Sequence, residues 1–139
     1  KKQHTVKYLC ITNRRMQILY TSKHYAGKIH DKTILEEESK TEKLSDTRKI
    51  LVDLAFLGIG NEYNNIHMPV KKPKGKELTA RQKEKNKKLS RTRVKIENAF
   101  AGVKRLRVVV YTSRAKRECF INMIFLIACG IWNFYLYAK

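Results

Sequence analysis

The sequence predicts an α/β domain, and three observations predict it. His4–Thr12 and Met16–Ser22 are rich in β-branched and aromatic side chains and flank Asn13-Arg14-Arg15, the pattern of a hairpin. Lys49–Leu54 (KILVDL) is short and nearly continuous in apolar residues, as a strand buried on both faces would be. The second half carries two long helical patterns, from Thr79 to about Arg105 and from Arg114 to Tyr137. A chain of 139 residues has room for one domain with one core, spanning 1–139.

Taken in order, His24-Tyr25-Ala26-Gly27 closes the hairpin. Asp31 is placed to N-cap a short helix running to about Ser39, and Lys40–Arg48 is a polar connection. Asp53 sits at the carboxyl end of its strand, the end at which open α/β sheets build sites. Gly58 and Gly60 break the chain after it. Asn65–Val70 reads as a short edge strand, because Pro69 excludes a central one. Lys71–Lys76 is a basic loop, and Thr79 caps the long helix behind it. Leu89, Ile96, Ala99, Phe100, Val103 and Leu106 form the apolar stripe of that helix, with Glu97 beside it. Val108–Tyr111 reads as extended, and no internal repeat is visible.

The final helix has two readings. Cys119–Ala138 contains no charge and follows Arg114, Lys116 and Arg117, which fits a membrane span. Asn122 and Asn133, however, fall within about 20° of each other around a helix of 100° per residue. One face marked by polar residues fits a helix packed on a sheet, and no membrane is favoured.

Charge points to a partner. The net charge is +19, far beyond what solubility needs, and a polyanion is the usual reason for such an excess. The charge is segregated: Lys71–Arg107 carries 15 basic residues against Glu77, Glu84 and Glu97. A hydrophobic content of 42% excludes a disordered basic tail. Cys10, Cys119 and Cys129 have no metal spacing, and the apolar surroundings of two of them favour reduced thiols and an intracellular setting, cytoplasmic in a prokaryote. His4, His24 and His67 have no metal spacing either. The chain opens on Lys1, not Met, and is expected to be part of something longer.

Within Ser90–Arg107, Glu97 is the one carboxylate among Lys and Arg. In a helix, Arg93, Glu97 and Lys104 stand at i, i+4 and i+11, near one face. An acid in such a field stays ionised and can hold a cation, while the bases around it hold phosphates. The plainer readings stay open beside this one. Asp53 can cap or turn a strand end, Glu97 can pair with Arg93 one turn away, and Lys83–Lys88 can be a solvated helix face.

Read together, these pieces resemble the carboxyl part of a DDE superfamily transposase, of the insertion-sequence and Harbinger-like group. The matching pieces are His4-Thr-Val-Lys7, Tyr25–Lys32 (YAGKIHDK), the Asp53 strand, Lys71-Lys-Pro-Lys-Gly-Lys-Glu-Leu-Thr79, Arg93-x3-Glu97-x6-Lys104, and the final helix around Leu126-Ile-Ala and Ile131-Trp-Asn. The resemblance covers nearly the whole chain. It implies a ribonuclease-H-like mixed sheet flanked by helices, incomplete at its amino-terminal strand. That strand would carry the first catalytic Asp and lie before His4, so no residue here matches it. Ala55-Phe56 stands where the family usually has Gly-Tyr, and Ser90 where a tyrosine is common.

The resemblance further implies that Asp53 and Glu97 are the second and third carboxylates, acting as catalytic metal ligands. The cofactor would be Mg2+ or Mn2+, hard ions that take carboxylate oxygens and drive in-line displacement at phosphodiesters. DNA, as transposon ends and target, would be the partner, with a homo-oligomer forming in the complete protein. Arg93 would clamp a phosphate or orient the carboxylate, and Lys104 would meet the DNA backbone. Lys71, Lys72, Lys74, Lys76, Arg105 and Arg107 would add affinity independent of sequence through counterion release. Two acids without a third imply little or no cleavage by this chain alone. The alternative is a basic nucleic-acid-binding module with no chemistry.

Overall fold

The computed structural model describes residues 5–41, 49–53, 56, 65–110 and 117–139, without the side chains of 40 and 41. The chain divides into two compact units: Lys1–Ile29 with Val94–Lys139, and His30–Arg93. The class is mixed α/β, with three α-helices and small sheets among the described residues.

The first unit begins with the expected hairpin, in two sections. Strands β1 (Val6–Lys7) and β4 (Tyr25–Ala26) pair antiparallel, as do β2 (Cys10–Thr12) and β3 (Ile18–Thr21). Between the sections Ser22 takes over the ladder: its N–H donates to Leu9 O at 2.8 Å and its hydroxyl accepts from Leu9 N at 2.9 Å. The turn lacks glycine because Asn13 organises it, its Oδ1 accepting from Arg15 N and Gln17 N at 2.9 and 3.0 Å. Met16 accordingly takes the left-handed position, with φ 66°.

Helix α3 (Glu118–Tyr137) packs on this hairpin. Asn122 Oδ1 accepts from His24 N at 2.9 Å, Asn133 clasps the backbone of Ile18, and Trp132 Nε1 donates to Met16 O at 2.9 Å. Tyr8 stacks on Phe125 with ring centroids 3.7 Å apart. The polar-marked face of the helix is thus the face that meets the hairpin. The core joins Ile18, Ala99, Val103, Ala128, Cys129 and Trp132. Full burial of such side chains contributes about 1.5–3 kcal/mol for each large one. The helix is also long and apolar enough to cross a membrane by length and composition. Its other face leaves Phe120, Met123, Leu126, Ile127, Ile131 and Phe134 exposed.

In the second unit, α1 (Asp31–Thr41) buries Ile34 and Leu35. Asp31 lies inside its first turn, one residue past the expected cap position, where a negative charge still favours the helix dipole. Strands β5 (Ile50–Leu51) and β6 (Ile66–His67) pair in parallel. Helix α2 (Ala80–Lys104) starts at a capping box: Thr79 N donates to Gln82 Oε1 at 2.9 Å, and Gln82 N to Thr79 Oγ1 at 3.3 Å.

Among the described residues the strands form three two-stranded ladders. Two expectations are corrected. β5 is not buried on both faces: Leu51 is 36% exposed whereas Ile50 and Val52 are half-buried, so side chains alternate between a covered and an open face. Val108 and Val109 are not extended but lie in a 3-10 turn, Arg107–Val109. There Val109 N bonds Leu106 O at 3.0 Å and Val109 packs on the core, which overrides β propensity. The last described helix starts at Glu118; residues 114–116, like Lys40–Arg48 in most of its length, Gly58, Gly60, Ala55 and Tyr111, lie outside what is described.

Candidate active site

The second unit fixes Asp53 by backbone bonds on both sides of it. β5 is held to β6 by Ile50 N to Asn65 O at 2.9 Å, and Val52 N extends the ladder to His67 O at 3.2 Å. Asp53 is the next residue, and its carbonyl accepts from Phe56 N at 3.1 Å as the chain turns. The carboxylate therefore stands at the carboxyl end of a parallel pair, as the sequence led one to expect.

Helix α2 delivers Arg93 to the same place. The Asn86 amide bonds the backbone of Val70 twice, accepting from its N–H at 2.8 Å and donating to its carbonyl at 3.0 Å. That clamp sets the helix beside the segment leaving β6. Gln82, Asn86, Leu89 and Arg93 fall on one face at helical spacing. Two turns beyond the clamp, Arg93 Nη1 reaches Asp53 Oδ2 at 3.0 Å. The pair is open to solvent, with the Arg93 side chain 56% and the Asp53 side chain 40% exposed. Glu97 follows Arg93 by one turn on the same helix and is exposed.

The basic loop is more tightly organised than its composition suggested. Lys71, Lys72, Lys74 and Lys76 are all exposed. Gly75, at φ 73°, holds the turn position that demands a left-handed backbone. Glu77 bridges the loop to the helix, with Lys72 Nζ at 2.6 Å from one oxygen and Lys83 Nζ at 3.1 Å from the other. Lys72 first, and Lys83 next, hold the Glu77 carboxyl below the usual carboxylate range. Sequence reading missed Glu77 and Asn86. The signal for Glu77 was a lone acid with cations on both sides, and for Asn86 an amide on the half-buried face of a charged helix.

In the first unit, Lys104, Arg105 and Arg107 are exposed at and beyond the end of α2. Lys104 lies in the last turn, where a cation also complements the helix dipole. A small apolar cleft of about 160 Å³, lined by Arg105, Ile131, Trp132 and Tyr135 among others, contains neither Asp53 nor Glu97. The structure thus brings Asp53 and Arg93 together from distant parts of the sequence.

Residues 1–133 match the family model for the DDE superfamily endonucleases. The chain belongs to that superfamily. It is also similar to a curated protein from Microchaete diplosiphon described as "Probable transposase for insertion sequence element IS702". The two are 30% identical over 137 residues, which is 99% of this chain and 49% of that protein. The chain therefore spans about half the length of the curated relative it matches. No solved structure matches it.

DDE superfamily endonucleases typically use divalent metal. The carboxyl groups of Asp53, half-buried, and Glu97, exposed, suit such an ion in ligand type because they offer hard oxygen donors. Among the described residues no group of three or more His, Cys, Asp and Glu side chains is placed to share one ion.

Proposed function

We propose that this chain carries part of the catalytic apparatus of a DNA transposase with a ribonuclease-H-like fold, which cuts and joins phosphodiester bonds at transposon ends. The observation that carries the reading is the Arg93–Asp53 contact, which ties the Arg93-x3-Glu97-x6-Lys104 helix to the carboxyl end of the Asp53 strand in a DDE superfamily member. Asp53 and Glu97 would hold Mg2+ or Mn2+, which when bound activates the attacking oxygen and stabilises the leaving one. Arg93 and Lys104 would engage phosphates. Lys71, Lys72, Lys74, Lys76, Arg105 and Arg107 would hold the DNA backbone without reading bases. The reading places the protein with DNA inside the cell.

Thermal melting against Mn2+ tests the metal role. The expected result is a midpoint raised by the ion in the wild type and not in Asp53→Asn or Glu97→Gln. Salt-sensitive DNA binding with no metal response, unchanged by either substitution, would instead identify a basic module without chemistry.

A further inference from the structure

We propose that Arg93 is the resident counter-ion of Asp53, exchanged for a divalent cation, so that phosphate and metal binding are coupled through one guanidinium. The inference rests on the reading of Asp53 as a metal ligand given above.

The geometry supplies the competition. Arg93 Nη1 sits 3.0 Å from Asp53 Oδ2, so an ion seeking that oxygen meets a cation already there. The pair is exchangeable because both side chains are substantially exposed, and solvent screening leaves exposed ion pairs weak. A divalent ion offers the carboxylate twice the charge of the guanidinium and repels it. The exchange needs no backbone movement. Arg93 lies within the 25-residue helix α2, anchored upstream by the Thr79 cap and the Asn86 clamp, so only its side chain has to turn.

A displaced guanidinium keeps its planar set of donors, which suits a phosphate. Exposed cations elsewhere on the same helix, Lys85, Lys87 and Arg91, raise the local potential for such an anion. Linkage then works in both directions. Metal at Asp53 releases Arg93 to phosphate, and phosphate at Arg93 uncovers Asp53 for metal, by the same factor. In the absence of DNA, Arg93 holds the carboxylate in place and weakens its hold on metal. The site fills most readily when DNA is present.

The test is titration of the full chain with Mn2+, reading free ion by electron paramagnetic resonance, with and without a short DNA duplex. The Mn2+ taken up by the duplex alone is measured in parallel. Without DNA, Arg93→Gln is expected to bind Mn2+ roughly two- to fivefold more tightly than wild type, the range set by the loss of one exposed ion pair. The duplex is expected to tighten Mn2+ binding by a similar factor in wild type and not in Arg93→Gln. Arg93→Lys, which keeps the charge, is expected to stay close to wild type without DNA. Circular dichroism checks that each variant keeps its helices. Unchanged or weaker Mn2+ binding in Arg93→Gln, or identical behaviour of the Gln and Lys variants, overturns the exchange while leaving Asp53 as a ligand. Undiminished Mn2+ binding in Asp53→Asn overturns the ligand reading itself, and the exchange with it.

Discussion

The side-chain amide of Asn133 grips the backbone of Ile18 at both ends, accepting from its N–H and donating to its carbonyl, each at 2.8 Å. A helix side chain here does what a neighbouring strand would do for β3. The contact fixes the rotation of α3 on the hairpin and explains a polar residue in an otherwise apolar helix. Asn133→Leu removes both bonds and leaves partly buried backbone groups of Ile18 without them. We expect a loss of about 1–3 kcal/mol, read from the midpoint of urea unfolding. The outward-facing change Met123→Asn should cost far less. Equal losses in the two variants would contradict the packing described.

Two helical glycines should respond to alanine with opposite signs. A β-carbon built on Gly102 meets the ring of Trp132, whereas one on Gly130 meets nothing within 4 Å. Gly130→Ala should stabilise by about 0.5–1 kcal/mol through helix propensity. Gly102→Ala gains the same propensity but crowds the core, and should lose about 1–3 kcal/mol net. Paired denaturant melts of the two variants measure both signs.

The thiols set a limit on alkaline stability. Burial pushes the Cys10 thiol up to about 12 and the Cys129 thiol up to about 11. In the unfolded chain both ionise near the ordinary thiol value, so above it the unfolded state has fewer bound protons than the folded one. Stability is then full below the unfolded pKa and falls as pH rises towards 11–12, with a limiting slope of about 1.4 kcal/mol per pH unit for each buried thiol. The Cys129 thiol is raised less than that of Cys10 and should contribute less in total. Urea midpoints from pH 8 to 11 should fall less steeply in Cys10→Ala than in wild type.

The same burial predicts thiol reactivity. Cys119 is exposed, and Cys10 and Cys129 lie in or against the core. A disulfide reagent at neutral pH should modify one thiol quickly and the other two only on the timescale of unfolding. Rapid reaction of all three would mean that α3 does not stay seated on the hairpin.

Glu77 should restrain DNA binding. It engages Lys72 and Lys83, two cations of the basic face. Glu77→Gln frees both and removes a negative charge, so duplex binding should tighten roughly two- to fivefold at low salt and depend more steeply on salt. Because its pKa is lowered, the Glu77 bridge should persist through mild acid and be lost only as pH falls below the ordinary carboxylate range. Fluorescence anisotropy of a labelled duplex, for wild type and variant across salt concentrations, checks the effect.

Much of the local structure was legible in the residues. Thr79 marked the start of α2, and the stripe that includes Ala99 and Val103 marked its buried side. The closeness of Asn122 and Asn133 around the helix marked the face of α3 that would meet the sheet. The break in the hairpin at Ser22 and the 3-10 turn at Arg107–Val109 were not legible. There a side-chain hydroxyl and the core replaced the contacts that propensity assumes.

By itself the sequence determined the kinds of element, their caps, the faces they would bury and the concentration of positive charge, because these depend on neighbours within a turn or two. Only the tertiary structure decided that Arg93 would meet Asp53, that Asn86 would clasp Val70 and that Glu77 would join loop to helix. Those contacts join residues whose separation along the chain carries no periodic signal. The Asp53–Arg93 contact exists because backbone bonds join β5 to β6 and the Asn86 amide holds α2 beside the segment leaving β6, which brings the two charged groups within reach once the chain has folded.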